Sequence, residues 1–136
     1  MSKGHILVVE DNLDNYELVR TILELAGYDA FLAVNGRDGV YAARKQKPDL
    51  ILMDMALPEM DGWHATEHIR KDPETKHIPM VALTVHTLPR ERKRALDAGV
   101  DAYLSKPFDA VQFLQVVEST LRDSKKNNRT EKSKKP

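Results

Sequence analysis

Residues 49–62 read DLILMDMALPEMDG, from Asp49 to Gly62. The four apolar residues Leu50, Ile51, Leu52 and Met53 read as a buried strand of a parallel sheet, where both faces are covered. Asp54 follows at the strand's carboxyl end, the edge at which open α/β sheets place their chemistry. Pro58 and Gly62 stand just beyond it. An ionisable group in that place reads as a reacting group rather than a packing one.

Two further apolar runs end in charge: Ile6 to Val9 leads into Glu10 and Asp11, and Ala102 to Ser105 leads into Lys106. Five strand candidates emerge, His5 to Val9, Tyr28 to Val34, Leu50 to Met53, Met80 to Leu83 and Ala102 to Ser105. Amphipathic stretches separate them. The first follows Asn12, a suitable N-cap, and places Leu18, Ile22 and Leu25 on one stripe, expected to be core, before Gly27 ends it. The second follows Asn35 with Val40 and Ala43, and the third follows Asp61 with Trp63, Thr66 and Ile69. A fourth runs from about Pro89 to Ala98, closed by Gly99, with Arg90, Glu91, Arg92, Lys93 and Arg94 crowded on its outer face. The last follows Asp109, with Val111, Leu114, Val117 and Leu121 as its main stripe and Phe113 and Val116 as a secondary one. Strict strand-helix alternation predicts a doubly wound five-stranded parallel sheet. A closed eight-stranded barrel needs about 250 residues, so it is excluded.

At 136 residues and 41% hydrophobic, the chain can form one domain that buries about two-thirds of its unfolded surface without disulfide or metal staples. Cysteine is absent and no N-terminal apolar signal region or membrane-length apolar stretch occurs, so a cytoplasmic setting is expected. The zero net charge hides a division. Arg122, Lys125, Lys126, Arg129, Lys132, Lys134 and Lys135 face only Asp123 and Glu131 in the last 15 residues, leaving 14 basic against 19 acidic groups, or −5, in residues 1–121. The expectation is a folded domain over 1–122 and a basic, disordered tail over 123–136, because the tail lacks apolar residues to offset its ordering entropy. Contact with nucleic acid is expected only weakly, through that tail.

In such a sheet the carboxyl ends of strands 1, 3, 4 and 5 open into one crevice, to which they bring Glu10 with Asp11, Asp54, Thr84 and Lys106. Clustered carboxylates repel, so without a cation at least one should hold its proton more tightly. A hard divalent cation such as magnesium, which prefers oxygen ligands, relieves the repulsion. An Asp carboxylate can act as a nucleophile at phosphorus, and phosphoryl transfer asks mainly for positioning and charge neutralisation. A cation, an ammonium group and a hydroxyl supply both.

These motifs resemble those of the response-regulator receiver domains of two-component signalling. The likeness covers about residues 4–122 and rests on four motifs in order: Glu10-Asp11 followed by Asn12, the segment 49–62, Leu83-Thr84, and Ser105-Lys106-Pro107-Phe108. It implies a flavodoxin-like (βα)5 fold with strand order 2-1-3-4-5. It implies that Asp54 accepts a phosphoryl group from a histidine kinase or histidine phosphotransfer protein. Glu10, Asp11, Asp54 and the backbone carbonyl of Ala56 would hold Mg2+, with Mn2+ as a possible substitute. Lys106 would pair with the phosphoryl group, Thr84 would move towards it, and Tyr103 would turn inward once Thr84 has moved. The surface of the fourth helix, fifth strand and fifth helix would then engage a downstream protein. A cis Lys106-Pro107 bond is also implied. The chain would be a signalling phosphoacceptor that assists its own phosphorylation and dephosphorylation, either a single-domain regulator or a receiver cut from a larger one.

Two positions depart from the commonest pattern: Glu10 stands where Asp is usual, and Val85 follows Thr84 where a small residue is usual. Val85 is expected to slow phosphoryl transfer and hydrolysis together; His86 is expected to be a plain exposed loop residue, with a rim position that tunes hydrolysis as the alternative. His64 and His68 have the i, i+4 spacing of a zinc pair, but no third ligand is recognisable nearby. Two rival functions are weighed. A phosphorylation-independent interaction module is disfavoured because every expected reactive residue is present. An aspartyl-phosphate phosphohydrolase expects a second Asp two positions after the nucleophile, where Ala56 stands, which removes the general acid.

Overall fold

A computed structural model of the chain describes residues 2–55, 60–84 and 89–134. Ala56, Val85 and His86 lie outside them. The elements alternate as β1 (His5–Val9), α1 (Leu13–Leu25), β2 (Asp29–Ala33), α2 (Gly36–Gln46), β3 (Leu50–Asp54), α3 (Gly62–Lys71), β4 (Met80–Thr84), α4 (Pro89–Ala98), β5 (Ala102–Ser105) and α5 (Ala110–Lys134). All four strand pairings are parallel, in the order β2-β1-β3-β4-β5. This is the doubly wound architecture expected from the sequence.

The two-residue period of the strands divides the core. Leu7 and Val9 of β1, Ile51 and Met53 of β3, and Met80 and Ala82 of β4 face Ala43 of α2, Ala65 and Ile69 of α3, and Ala95 of α4. The alternate residues Ile6, Val8, Leu50, Leu52, Val81 and Leu83 face Tyr16, Val19 and Leu23 of α1 with Phe113 and Val117 of α5. Every residue of β3 and β4 is buried. That explains why β3 reads as an unbroken apolar run rather than an alternating one.

Two helices turn differently from expectation. In α1 the buried stripe is Tyr16, Val19 and Leu23, while Leu18 and Leu25 are 58% and 85% exposed. Both sets have helical spacing, so periodicity cannot choose between them. The three-residue connection from β1, with Asn12 accepting the Asn15 N–H, fixes the rotation of the helix. In α5 the buried positions are Phe113, Val117 and Thr120, whereas Val111 is 68% exposed; Phe113 also stacks on Phe108, with centroids 5.3 Å apart.

The expected disordered tail is also revised, because α5 continues as one helix to Lys134. The sequence lacks Gly and Pro between Ala110 and Lys135, and Lys, Arg and Glu are good helix formers. Propagation from an anchored helix also avoids a new nucleation step.

Candidate phosphoryl-acceptor site

The carboxyl ends of β1, β3, β4 and β5 meet at one edge, and register alone brings the site residues near one another. Val9 pairs with Met53, Asp54 with Leu83, and Thr84 with Ser105. Glu10 and Asp54 are buried, at 3% and 6% exposure, while Asp11 is exposed. One carboxylate oxygen from each of Glu10, Asp11 and Asp54 lies within 4.8 Å of the others. Lys106 Nζ donates to Glu10 Oε1 at 3.2 Å and to Asp54 Oδ2 at 3.3 Å. A single ammonium group therefore bridges the two buried carboxylates.

The backbone holds these groups in place. The Asn12 N–H donates to Glu10 Oε2 at 3.3 Å, and the Glu10 N–H donates to the Ala33 carbonyl. Beyond β3, the Met55 N–H donates to the Leu83 carbonyl and the Gly62 N–H donates to the Met55 carbonyl, so the turn closes beside Asp54. The Lys106 N–H reaches the Thr84 carbonyl at 2.7 Å, and the Lys106-Pro107 peptide is cis, as the resemblance implies. Thr84 is buried at the end of β4. Tyr103 on β5 is half-buried, with the Arg92 guanidinium 5.7 Å from its ring centroid.

Charge and burial act together on Glu10. Burial, with Asp54 as hydrogen-bond partner and neighbouring charge, pushes its carboxyl from 4.5 up to about 7, while Lys106 opposes the rise. The sequence predicts charge repulsion among the acids as the cause; burial is the larger one here, and Asp54 is the acid that adds to it. The donor set is all oxygen and mostly anionic, which suits a hard divalent cation. Glu10, Asp11 and Asp54 are also the one group of three or more potential ligands among the described residues. On α3, His64 Nδ1 instead lies 2.9 Å from Asp61 Oδ1 at the start of its own helix.

The chain is similar to known proteins. A family model described as the response regulator receiver domain matches residues 6–118. This chain belongs to the response regulator receiver domain family. The receiver domain is 37% identical over 119 residues to the polar-differentiation response regulator DivK of Brucella anthropi, covering 88% of this chain and 97% of that one. Among solved structures it resembles the receiver domain of the sensor histidine kinase PA1611 from Pseudomonas aeruginosa PAO1, which has magnesium coordinated in its active site cleft. The identity is 36% and the TM-score 0.81, over 87% of this chain and 97% of that one. It also resembles the chemotaxis protein CheY4 of Vibrio cholerae, at 27% identity and a TM-score of 0.81, over 86% and 98% of the two chains.

Beside the receiver site lies a hollow that sequence reasoning missed. Its volume is about 350 Å³, and it is lined by Glu10, Asn15, Leu18, Val19, Leu83, Lys106, Pro107 and Phe108. A helical stripe of leucines reads as packing, which predicts Leu18 in the core. The rotation of α1 instead leaves it exposed, lining the hollow with Lys106.

Proposed function

We propose that Asp54 of this receiver domain accepts a phosphoryl group from a partner's phosphohistidine, with Mg2+, and that occupancy of the site controls which proteins the domain binds. The bridging of Glu10 and Asp54 by Lys106 Nζ carries this reading, since it brings a nucleophilic carboxylate, a cation-binding carboxylate and an ammonium group to one point. An Asp54 carboxylate oxygen forms the new bond to phosphorus as the phosphorus–nitrogen bond of phosphohistidine breaks. The released imidazole retains that electron pair and takes up a proton.

Glu10, Asp11 and Asp54, with the Ala56 carbonyl, would hold the magnesium ion; Mn2+ is proposed as a substitute. When bound, the ion offsets negative charge on the transferring oxygens. Lys106 exchanges its pairing with Glu10 for the phosphoryl oxygens, and Thr84 donates its hydroxyl to them. Tyr103 then settles inward against β4, altering the surface of α4, β5 and α5 that a downstream protein reads. The apolar wall of Leu18, Val19, Pro107 and Phe108 gives a donor's helix a place to rest beside Asp54. No helix among the described residues is long and apolar enough to cross a membrane, and the proposed donor places the domain in the cytoplasm.

Incubation with a small acyl phosphate and Mg2+, followed by intact-mass measurement, tests the reading. One phosphoryl group per chain is expected, absent after Asp54→Asn and absent with chelator. An unmodified wild-type chain would favour the phosphorylation-independent module, and steady turnover of phosphate esters would favour a hydrolase.

A further inference from the structure

We infer that Gly36, on the first turn of α2, is a positioning residue that sets the position of Met60 at the entry to α3, and thereby the affinity of the acidic site for a divalent cation. The inference rests on the reading of Glu10, Asp11 and Asp54 as a magnesium and phosphoryl site. Gly36 is buried and is not among the glycines with positive φ, which are Gly27 and Gly99. Glycine is therefore needed there for space and not for a left-handed backbone.

A Cβ on Gly36 would lie 1.9 Å from the Met60 carbonyl oxygen and 2.7 Å from the Met60 carbonyl carbon. The obstacle is main chain, so no side-chain rotation relieves it. Reaching ordinary contact at 3.4 Å needs a relative shift of about 1.5 Å. The helix has little freedom to supply that shift. One turn along, a Cβ on Gly39 would already meet Val9 Cγ2 at 2.9 Å, so α2 lies tight against the end of β1 just before Glu10. Asn35 Oδ1 accepts the Asp38 N–H at 2.7 Å, and Ala43 is fully buried in the core beneath the helix.

Met60, on the other side of the contact, leads directly to the site. Met60 lies two residues before Gly62, whose N–H is tied to the Met55 carbonyl. A Cβ on Gly62 would stand 2.6 Å from the Asp54 carbonyl oxygen. The first turn of α2 therefore buttresses Met60, two residues before the Gly62 that packs on the main chain of Asp54 and Met55. Displacing Met60 shifts Gly62 against the main chain of Asp54 and Met55, and with it the pose of the Asp54 carboxylate, without altering any ligand.

The test is calorimetric titration of Mg2+ into the wild type, Gly36→Ala and Val117→Ala, paired with urea unfolding in chelator. Val117 is buried against the opposite face of the sheet, so its truncation reports general destabilisation. Gly36→Ala is expected to weaken Mg2+ binding by about tenfold, in the range seen when groups supporting metal ligands are lost. Val117→Ala should stay within about twofold of wild type. A loss under about fivefold for Gly36→Ala, or an equal loss for Val117→Ala, overturns the inference. Should Gly36→Ala not fold, Asn35→Ala loosens the same turn without added bulk. It should weaken Mg2+ binding at least twofold, and a smaller change overturns the inference. A wild type that binds no Mg2+ would overturn the site reading and the inference with it; binding intact in both wild type and Gly36→Ala would overturn the inference alone.

Discussion

Replacing Glu10 by Gln should change how the metal-free protein responds to pH. Burial and Asp54 raise the Glu10 carboxyl from 4.5 to about 7. Below 4.5 the group is protonated in both folded and unfolded chains and contributes no penalty. Between 4.5 and about 7 the folded protein retains a proton that the unfolded chain has released, so stability falls as pH rises. Above about 7 the folded protein also loses the proton, and the full cost is present. At roughly 1.4 kcal/mol per pH unit, the loss is on the order of 3 kcal/mol. Glu10→Gln keeps the shape without the titration, so its advantage over wild type should grow from near zero at pH 4.5 to about 3 kcal/mol at pH 8. Urea unfolding followed by circular dichroism, in chelator at fixed ionic strength, measures the difference at each pH. A difference constant within about 0.5 kcal/mol across that interval would refute the argument that burial and Asp54 act on Glu10. Saturating Mg2+ at pH 8 should remove the variant's advantage, because the cation binds the ionised cluster.

Lys106→Met removes the ammonium group bridging Glu10 and Asp54; Mg2+ should bind several-fold more tightly by calorimetry, while phosphorylation by an acyl phosphate falls about a hundredfold or more. Arg70 donates to the carbonyls of Gly99, Lys76 and Ile78 and to Asp101 Oδ2, joining the end of α3 to the chain on both sides of β4. Arg70→Met should therefore cost about 2–4 kcal/mol in urea unfolding, with Mg2+ affinity unchanged because the contacts lie at the opposite edge of the sheet.

Much of the fold was legible because the strands are short and apolar and the connections supply strong stop signals. Asn12, Asn35 and Asp61 each cap a helix through the N–H three residues on. Gly27 and Gly99 take the positive φ angles expected after helix ends. The site was legible for a related reason: strand ends converge in a parallel sheet, so Glu10, Asp11, Asp54 and Lys106 could be placed together before any distance was known. Helix rotation was not legible. Leu18 and Val19 in α1 are adjacent apolar residues on different faces, as are Val111 and Phe113, two positions apart in α5, and only the packed sheet decides which is buried. The role of Gly36 was hidden more deeply, since the group it accommodates is a backbone carbonyl 24 residues away. The helical course of the chain beyond residue 122 was obscured by composition, which registers the lack of apolar residues but not the continuity of an anchored helix.

The identity of the phosphorylated residue tests the central claim most directly. After incubation with an acyl phosphate and Mg2+, borohydride reduction converts an aspartyl phosphate to homoserine, which tandem mass spectrometry locates in the sequence. Homoserine at position 54, dependent on Mg2+, is the predicted result. Homoserine at Asp11, or no conversion at any acidic residue of a folded and Mg2+-bound protein, would contradict it.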